Sequence, residues 1–111
     1  MLKSHDPLDL AFHALSDGTR RGMLERLSRG PASVSELAQP YTSTLAAIHQ
    51  HVQVLESSGL IVTKKVGRTR ECRLSRETVA RVEGWLTDRR QLWEDRFNRL
   101  DALLARNEDK T

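Results

Sequence analysis

The chain has 111 residues, 38% hydrophobic and 30% charged, with a net charge of +3 and an isoelectric point near 9.5. That composition excludes disorder and allows one small globular domain over 1–111, and no run of eighteen or so apolar residues offers a membrane span. The single cysteine, Cys72, excludes an intrachain disulfide framework, and Met1 to Asp6 contain no apolar signal region, so a cytoplasmic protein is expected.

In chain order, Pro7 to Leu15 predicts a short amphipathic helix with Leu8, Phe12 and Leu15 on one side. Ser16 or Asp17 caps a second helix to about Ser28, with Met23, Leu24 and Leu27 as its apolar face; Gly30-Pro31 stops it. Ser33 caps a third, short helix with Glu36 at the capping-box position, and Val34, Leu37 and Ala38 face inward. After the turn Gln39 to Ser43, a fourth helix starts near Thr44 and ends at Ser58, before Gly59. Leu45, Ile48, Val52 and Leu55 recur at helical spacing and are its expected buried stripe. Leu60 to Lys65 is β-branched and strand-like, Val66-Gly67-Arg68 is a tight turn, and Thr69 to Leu74 returns as a second strand. Ser75 then caps a long helix over about 76–105, leaving 106–111 as a polar, frayed tail. The order is four helices, a β-hairpin and a long helix: a mostly α (α+β) chain with the layout of a winged helix-turn-helix.

Charge is unevenly spread. Residues 1–60 hold five Lys/Arg against six Asp/Glu, and 76–111 hold eight of each. Residues 61–75 hold Lys64, Lys65, Arg68, Arg70 and Arg73 against Glu71 alone, so the excess sits on the hairpin. A local basic patch beside a helix is the expected footprint of a phosphate-binding surface; a merely solvated edge is the plain alternative. With the stripe of the fourth helix buried, Ala46, Ala47, His49, Gln50 and Gln53 project away from the core. Ala methyls suit thymine methyls, Gln amides suit adenine edges, and His donates to guanine or phosphate. Thr44 adds a hydroxyl and helix-end amides for a phosphate, and Arg68 and Arg70 flank the hairpin tip for phosphate or minor-groove contact. Arg73 is expected to pair with the body of the protein.

Five segments together resemble the ArsR family of bacterial winged-helix repressors. They are Leu15-Ser16-Asp17-Gly18-Thr19-Arg20-Arg21, Val34-Ser35-Glu36-Leu37-Ala38, Ala47-Ile48-His49-Gln50-His51-Val52-Gln53-Val54-Leu55, Gly59-Leu60-Ile61 and Gly67-Arg68-Thr69-Arg70. The resemblance covers about residues 8–75 and implies a homodimer on double-stranded operator DNA of two-fold character, usually repressing transcription. Gly18 stands where the family often has Pro, and His49 where it often has Ser.

Many members of that family sense metals through a Cys pair on the third helix or Asp/His sets on the last. Here the third helix has no Cys and the last helix no His, so no metal site and no cofactor are expected. His49 and His51 lie about 200° apart on a helix and cannot grip one ion; His5 and His13, near Asp6 and Asp9, are better read as solvated or core-edge histidines than as a metal site. Cys72 is expected to pack inward as a small apolar residue, with a thiol-controlled repressor as an alternative. No phosphate loop or nucleophile motif points to an enzyme.

In the last helix Val79, Leu86, Trp93 and Leu100 recur every seven residues, Phe97 and Leu104 add a second series, and Val82, Trp85, Leu92 and Leu103 flank them. The surface is too wide for one small domain to cover. A coiled-coil-like homodimer interface, completed by Leu8, Phe12 and Leu15, is expected. The resulting expectation is a homodimeric, metal-independent DNA-binding regulator, with a winged helix used for protein contact as the competing class.

Overall fold

The computed structural model describes residues 6–109. Helix α1, Pro7–Leu15, opens on Asp6, whose side chain accepts the Leu8 N–H at 2.8 Å, with Pro7 at the first helical position where no N–H is needed. It buries Ala11 and Ala14 and leaves Leu8, Phe12 and Leu15 on its less covered side. Helix α2, Gly18–Leu27, is capped by Asp17, one of the two residues expected for that role, and buries Met23 and Leu27. Helix α3, Val34–Ala38, begins with the reciprocal Ser33/Glu36 capping box, with bonds of 3.1 and 3.3 Å. Helix α4, Leu45–Ser57, is capped by Thr44 and ends before Gly59, whose φ of 80° releases the chain into the sheet.

The hairpin carries an addition the sequence reading lacked. Ala32–Ser33 forms a two-residue strand, β1, paired antiparallel with β3 (Thr69–Leu74), which in turn pairs with β2 (Ile61–Val66). The sheet order is β1-β3-β2. So short a strand has no periodicity of its own; pairing with Glu71 and Cys72 creates it. The hairpin turn is also one residue tighter than expected: Val66 pairs with Thr69, leaving Gly67 (φ 62°) and Arg68 as a two-residue turn.

Helix α5, Arg76–Asp109, follows β3, with Ser75 Oγ accepting the Thr78 N–H at 3.4 Å. It continues past the expected end at Ala105, because Arg106, Asn107 and Glu108 include neither Gly nor Pro to stop it. Two compact units divide the chain, Met1–Val79 and Ala80–Thr111. The first has a closed core in which Met23, Leu37, Ile48, Leu55, Leu60, Ile61 and Cys72 are the largest fully buried side chains. In the second, Val82 is buried, whereas Leu86, Trp93, Phe97, Leu100 and Leu104 are exposed. Among the described residues no helix is long and apolar enough to cross a membrane.

Candidate nucleic-acid interface

The side chains of α4 divide as its periodicity requires. Ile48, Val52 and Leu55 are buried, while Ala46, His49, Gln50 and Gln53 are exposed and Ala47 is half-buried. Thr44 is exposed and its hydroxyl accepts the Ala47 N–H at 3.1 Å, so one helix-end amide is already satisfied. One position departs from the expectation. Leu45, assigned to the buried stripe, is 56% exposed. It is the first residue of the helix, a turn ahead of Ile48, and the core packing begins only at Ile48. Leu45 instead lines an open groove of about 240 Å³ with His49 from α4, Ser33, Val34 and Ser35 around the start of α3, and Arg68, Thr69 and Arg70 from the hairpin.

Two expected cationic residues therefore line the same groove as the start of α4. Arg68 stands exposed at the turn. Arg70 is also exposed, but its guanidinium is partly engaged: Nε donates to Thr63 Oγ1 at 3.1 Å and Nη2 lies 3.8 Å from Glu56 Oε2. The Thr63 hydroxyl donates in turn to Glu56. A carboxylate near the end of α4 thus fastens the hairpin to that helix. Lys64 and Lys65 are both exposed. Arg73 does not pair with the body of the protein; its Nε donates to Glu71 Oε1 at 2.8 Å, two residues back on the same strand, because both side chains leave the sheet on the face opposite Cys72.

On the other flank of α4 lies an arrangement that sequence reading missed. Arg20 is only 9% exposed. Its Nε donates to the Ala14 carbonyl at 2.8 Å and Nη2 to the His13 carbonyl at 3.1 Å, satisfying the last turn of α1. Its Nη1 lies 3.2 Å from His51 Nδ1 on α4. Asp17 Oδ2 lies 4.0 Å from the same nitrogen and accepts the Arg20 backbone N–H at 3.1 Å. That backbone bond, with the nearby His51 and Arg20 charges, holds the Asp17 carboxyl below its ordinary value against the opposing effect of desolvation. One buried guanidinium thus ties α1, α2 and α4 together. His13, Arg20 and His51 border a cavity of about 530 Å³ that Gln50 and Gln53 also line. The legible signal was Asp17 three residues before Arg20, a cap beside a cation; what the sequence lacks is the fold that brings His51 across.

Cys72 packs inward as expected, fully buried between Ala32 and Thr63 in the sheet. Burial, and secondarily the carboxylate of Glu56, pushes its thiol pKa up, disfavouring the thiolate that oxidation requires. Of the histidines read as weak metal candidates, His13 is exposed at the end of α1, and His5 lies outside the described residues.

Comparison with known proteins bears on this arrangement. Residues 15–64 match a family model described as a helix-turn-helix domain. The chain is 33% identical over 103 residues to the HTH-type transcriptional regulator Rv2034 of Mycobacterium tuberculosis, covering 93% of this chain and 94% of that protein. Among solved structures it is similar to the ArsR family transcriptional regulator RHA00566, at 48% identity and a TM-score of 0.76, covering 80% of this chain and 98% of that one. It is also similar to the homodimeric winged helix-turn-helix DNA-binding domain of Mb0332 from Mycobacterium bovis, at 26% identity and a TM-score of 0.63, covering 78% and 80% of the two chains.

Proposed function

The chain belongs to the ArsR family of winged helix-turn-helix transcriptional regulators, and from that premise we propose that it is a cytoplasmic, homodimeric, metal-independent repressor of its target genes. The observation that carries the DNA-reading part is the partition of α4, with Ile48, Val52 and Leu55 shut into the core and Ala46, His49, Gln50 and Gln53 exposed beside a basic hairpin. In this reading α4 enters the major groove. Ala46, Ala47, His49, Gln50 and Gln53 meet base edges, while Thr44, Arg68 and Arg70 hold phosphates. The exposed apolar face of α5 (Leu86, Trp93, Phe97, Leu100 and Leu104) supports dimerisation, joined by Leu8, Phe12 and Leu15 of α1. The solved relative from M. bovis is itself described as homodimeric. A dimer presents two reading helices to half-sites about 34 Å apart, hence an operator of two-fold character. Metal independence rests on the donor set: no Cys in Val34–Ala38 and no His in α5.

The test is fluorescence anisotropy of the chain on DNA from upstream of its own gene, against scrambled DNA, at two salt concentrations and with or without a chelator. Tight, salt-sensitive, sequence-selective binding that ignores the chelator is expected. Equal weak binding to both DNAs would favour the protein-contact class instead. Arg70→Ala should weaken binding to every sequence and flatten the salt slope by about one unit; an unchanged slope would leave Arg70 only its role of fastening the hairpin. Gln50→Ala should instead reduce discrimination among operators by about 1–3 kcal/mol, and uniform weakening on all DNAs would contradict base reading there.

A further inference from the structure

Leu45 is a large apolar side chain held open to solvent at the start of the reading helix, 56% exposed, beside the exposed Ala46, His49, Gln50 and Gln53. It is anchored from behind: its own helix is capped by Thr44, and the stripe beginning at Ile48 fixes the helix on the core. Across the groove of about 240 Å³ it faces Arg68 and Arg70, and His49 shares its wall one turn further along the helix. Leu45 therefore stands between the base-reading side chains and the phosphate-gripping ones.

That placement decides which part of DNA it meets. With α4 in the major groove and the hairpin arginines on phosphates, a sugar-phosphate strand runs along the groove that Leu45 lines. The base edge nearest to a strand's own backbone is the outer margin of the major-groove face. On a pyrimidine that margin is C5, which carries a methyl in thymine and only hydrogen in cytosine. The thymine methyl is the one apolar group in the major-groove pattern. A polar contact would suit the centre of the groove; an isobutyl group suits this margin. We infer that Leu45 is a specificity-determining residue that packs against the 5-methyl of one thymine in each operator half-site. The inference rests on the DNA-binding reading and adds to it a base and a single chemical group.

The experiment begins by selecting preferred duplexes from a random pool with the full-length chain. Each thymine of the selected site is then replaced singly by deoxyuridine, which removes the methyl and leaves every hydrogen-bonding group in place. At one thymine per half-site the wild-type chain should bind the uracil duplex about fourfold more weakly, the amount expected from uncovering one methyl. Leu45→Ala should bind thymine and uracil duplexes equally at that position while keeping its response to uracil elsewhere. Leu45→Met, still apolar and long enough to reach, should retain the discrimination and so controls for damage to the helix. If uracil has no effect at any position, or if Leu45→Ala remains as sensitive as wild type at every position, the assignment is overturned while the DNA-binding reading stands. If no sequence is enriched from the pool, both fall together.

Discussion

In α4 the apolar residues Ile48, Val52 and Leu55 are shut away, whereas in α5 Trp93, Phe97 and Leu100 stand open to solvent. Both helices announce themselves in the sequence by the same kind of periodicity. The difference lies in what the chain supplies to cover them. Helix α4 belongs to a unit in which three further helices and a sheet converge on one core. Residues 80–109 form a separate compact unit consisting of a single helix, and one helix cannot bury a stripe of its own. Periodicity identifies a face that needs covering; the partner has to be found elsewhere.

The comparison breaks most directly at the buried stripe. Leu55→Ala should remove about 2–5 kcal/mol from unfolding stability, because Leu55 is fully buried and its loss leaves a cavity. A denaturation curve showing less than about 1 kcal/mol would mean that the core collapses readily around α4. Its counterpart on α5 is the pair Phe97→Ser with Leu100→Ser. If a second copy covers this face, sedimentation should show a shift toward monomer with a dissociation constant raised on the order of a hundredfold, about 2.7 kcal/mol. Unchanged dimer mass would move the interface elsewhere.

A sharper test of close packing in the N-terminal unit is Gly22→Ala on α2. A Cβ there runs into the Tyr41 hydroxyl, which itself donates to the Thr19 carbonyl at 3.4 Å. Alanine normally favours a helix, yet here a loss of about 1–3 kcal/mol is expected. A gain in melting temperature would show that Tyr41 swings aside freely. The smallest effect concerns pH. The Asp17 carboxyl titrates below its unfolded value, so its contribution is fully present above the unfolded pKa and fades as pH falls through the lower folded value. Wild type should therefore lose stability on acidification more steeply than Asp17→Asn, measured below about pH 5, where free Asp begins to protonate. Parallel curves for the two proteins would remove Asp17 from the account.

Much of this fold was legible in the residues. The five helices, the hairpin, the Ser33/Glu36 capping box and the inward cysteine all follow from spacing and local chemistry. What was not legible depends on residues far apart in sequence. Strand β1 exists because β3 passes beside it, some forty residues later. Arg20 is buried because His51 and the end of α1 converge on it, and arginine in isolation reads as a surface residue. Leu45 fits the apolar period of α4 but lies beyond the end of the core, and period alone carries no information about where packing stops. The tether from Arg70 to Glu56 and Thr63 likewise joins two elements whose approach the sequence does not state. In the candidate site, residue types and their helical face were readable, whereas their partners were not.

The interleaving of buried and exposed positions along α4 has a consequence for descent. Ile48, Val52 and Leu55 hold the helix in place from one side, and Ala46, His49, Gln50 and Gln53 occupy the other without being packed into that core. Substitutions at exposed positions usually change stability by no more than about 0.5 kcal/mol. A lineage carrying this scaffold can therefore exchange one set of outward side chains for another while every intermediate still folds. Its vocabulary is free to drift as its grammar stays fixed.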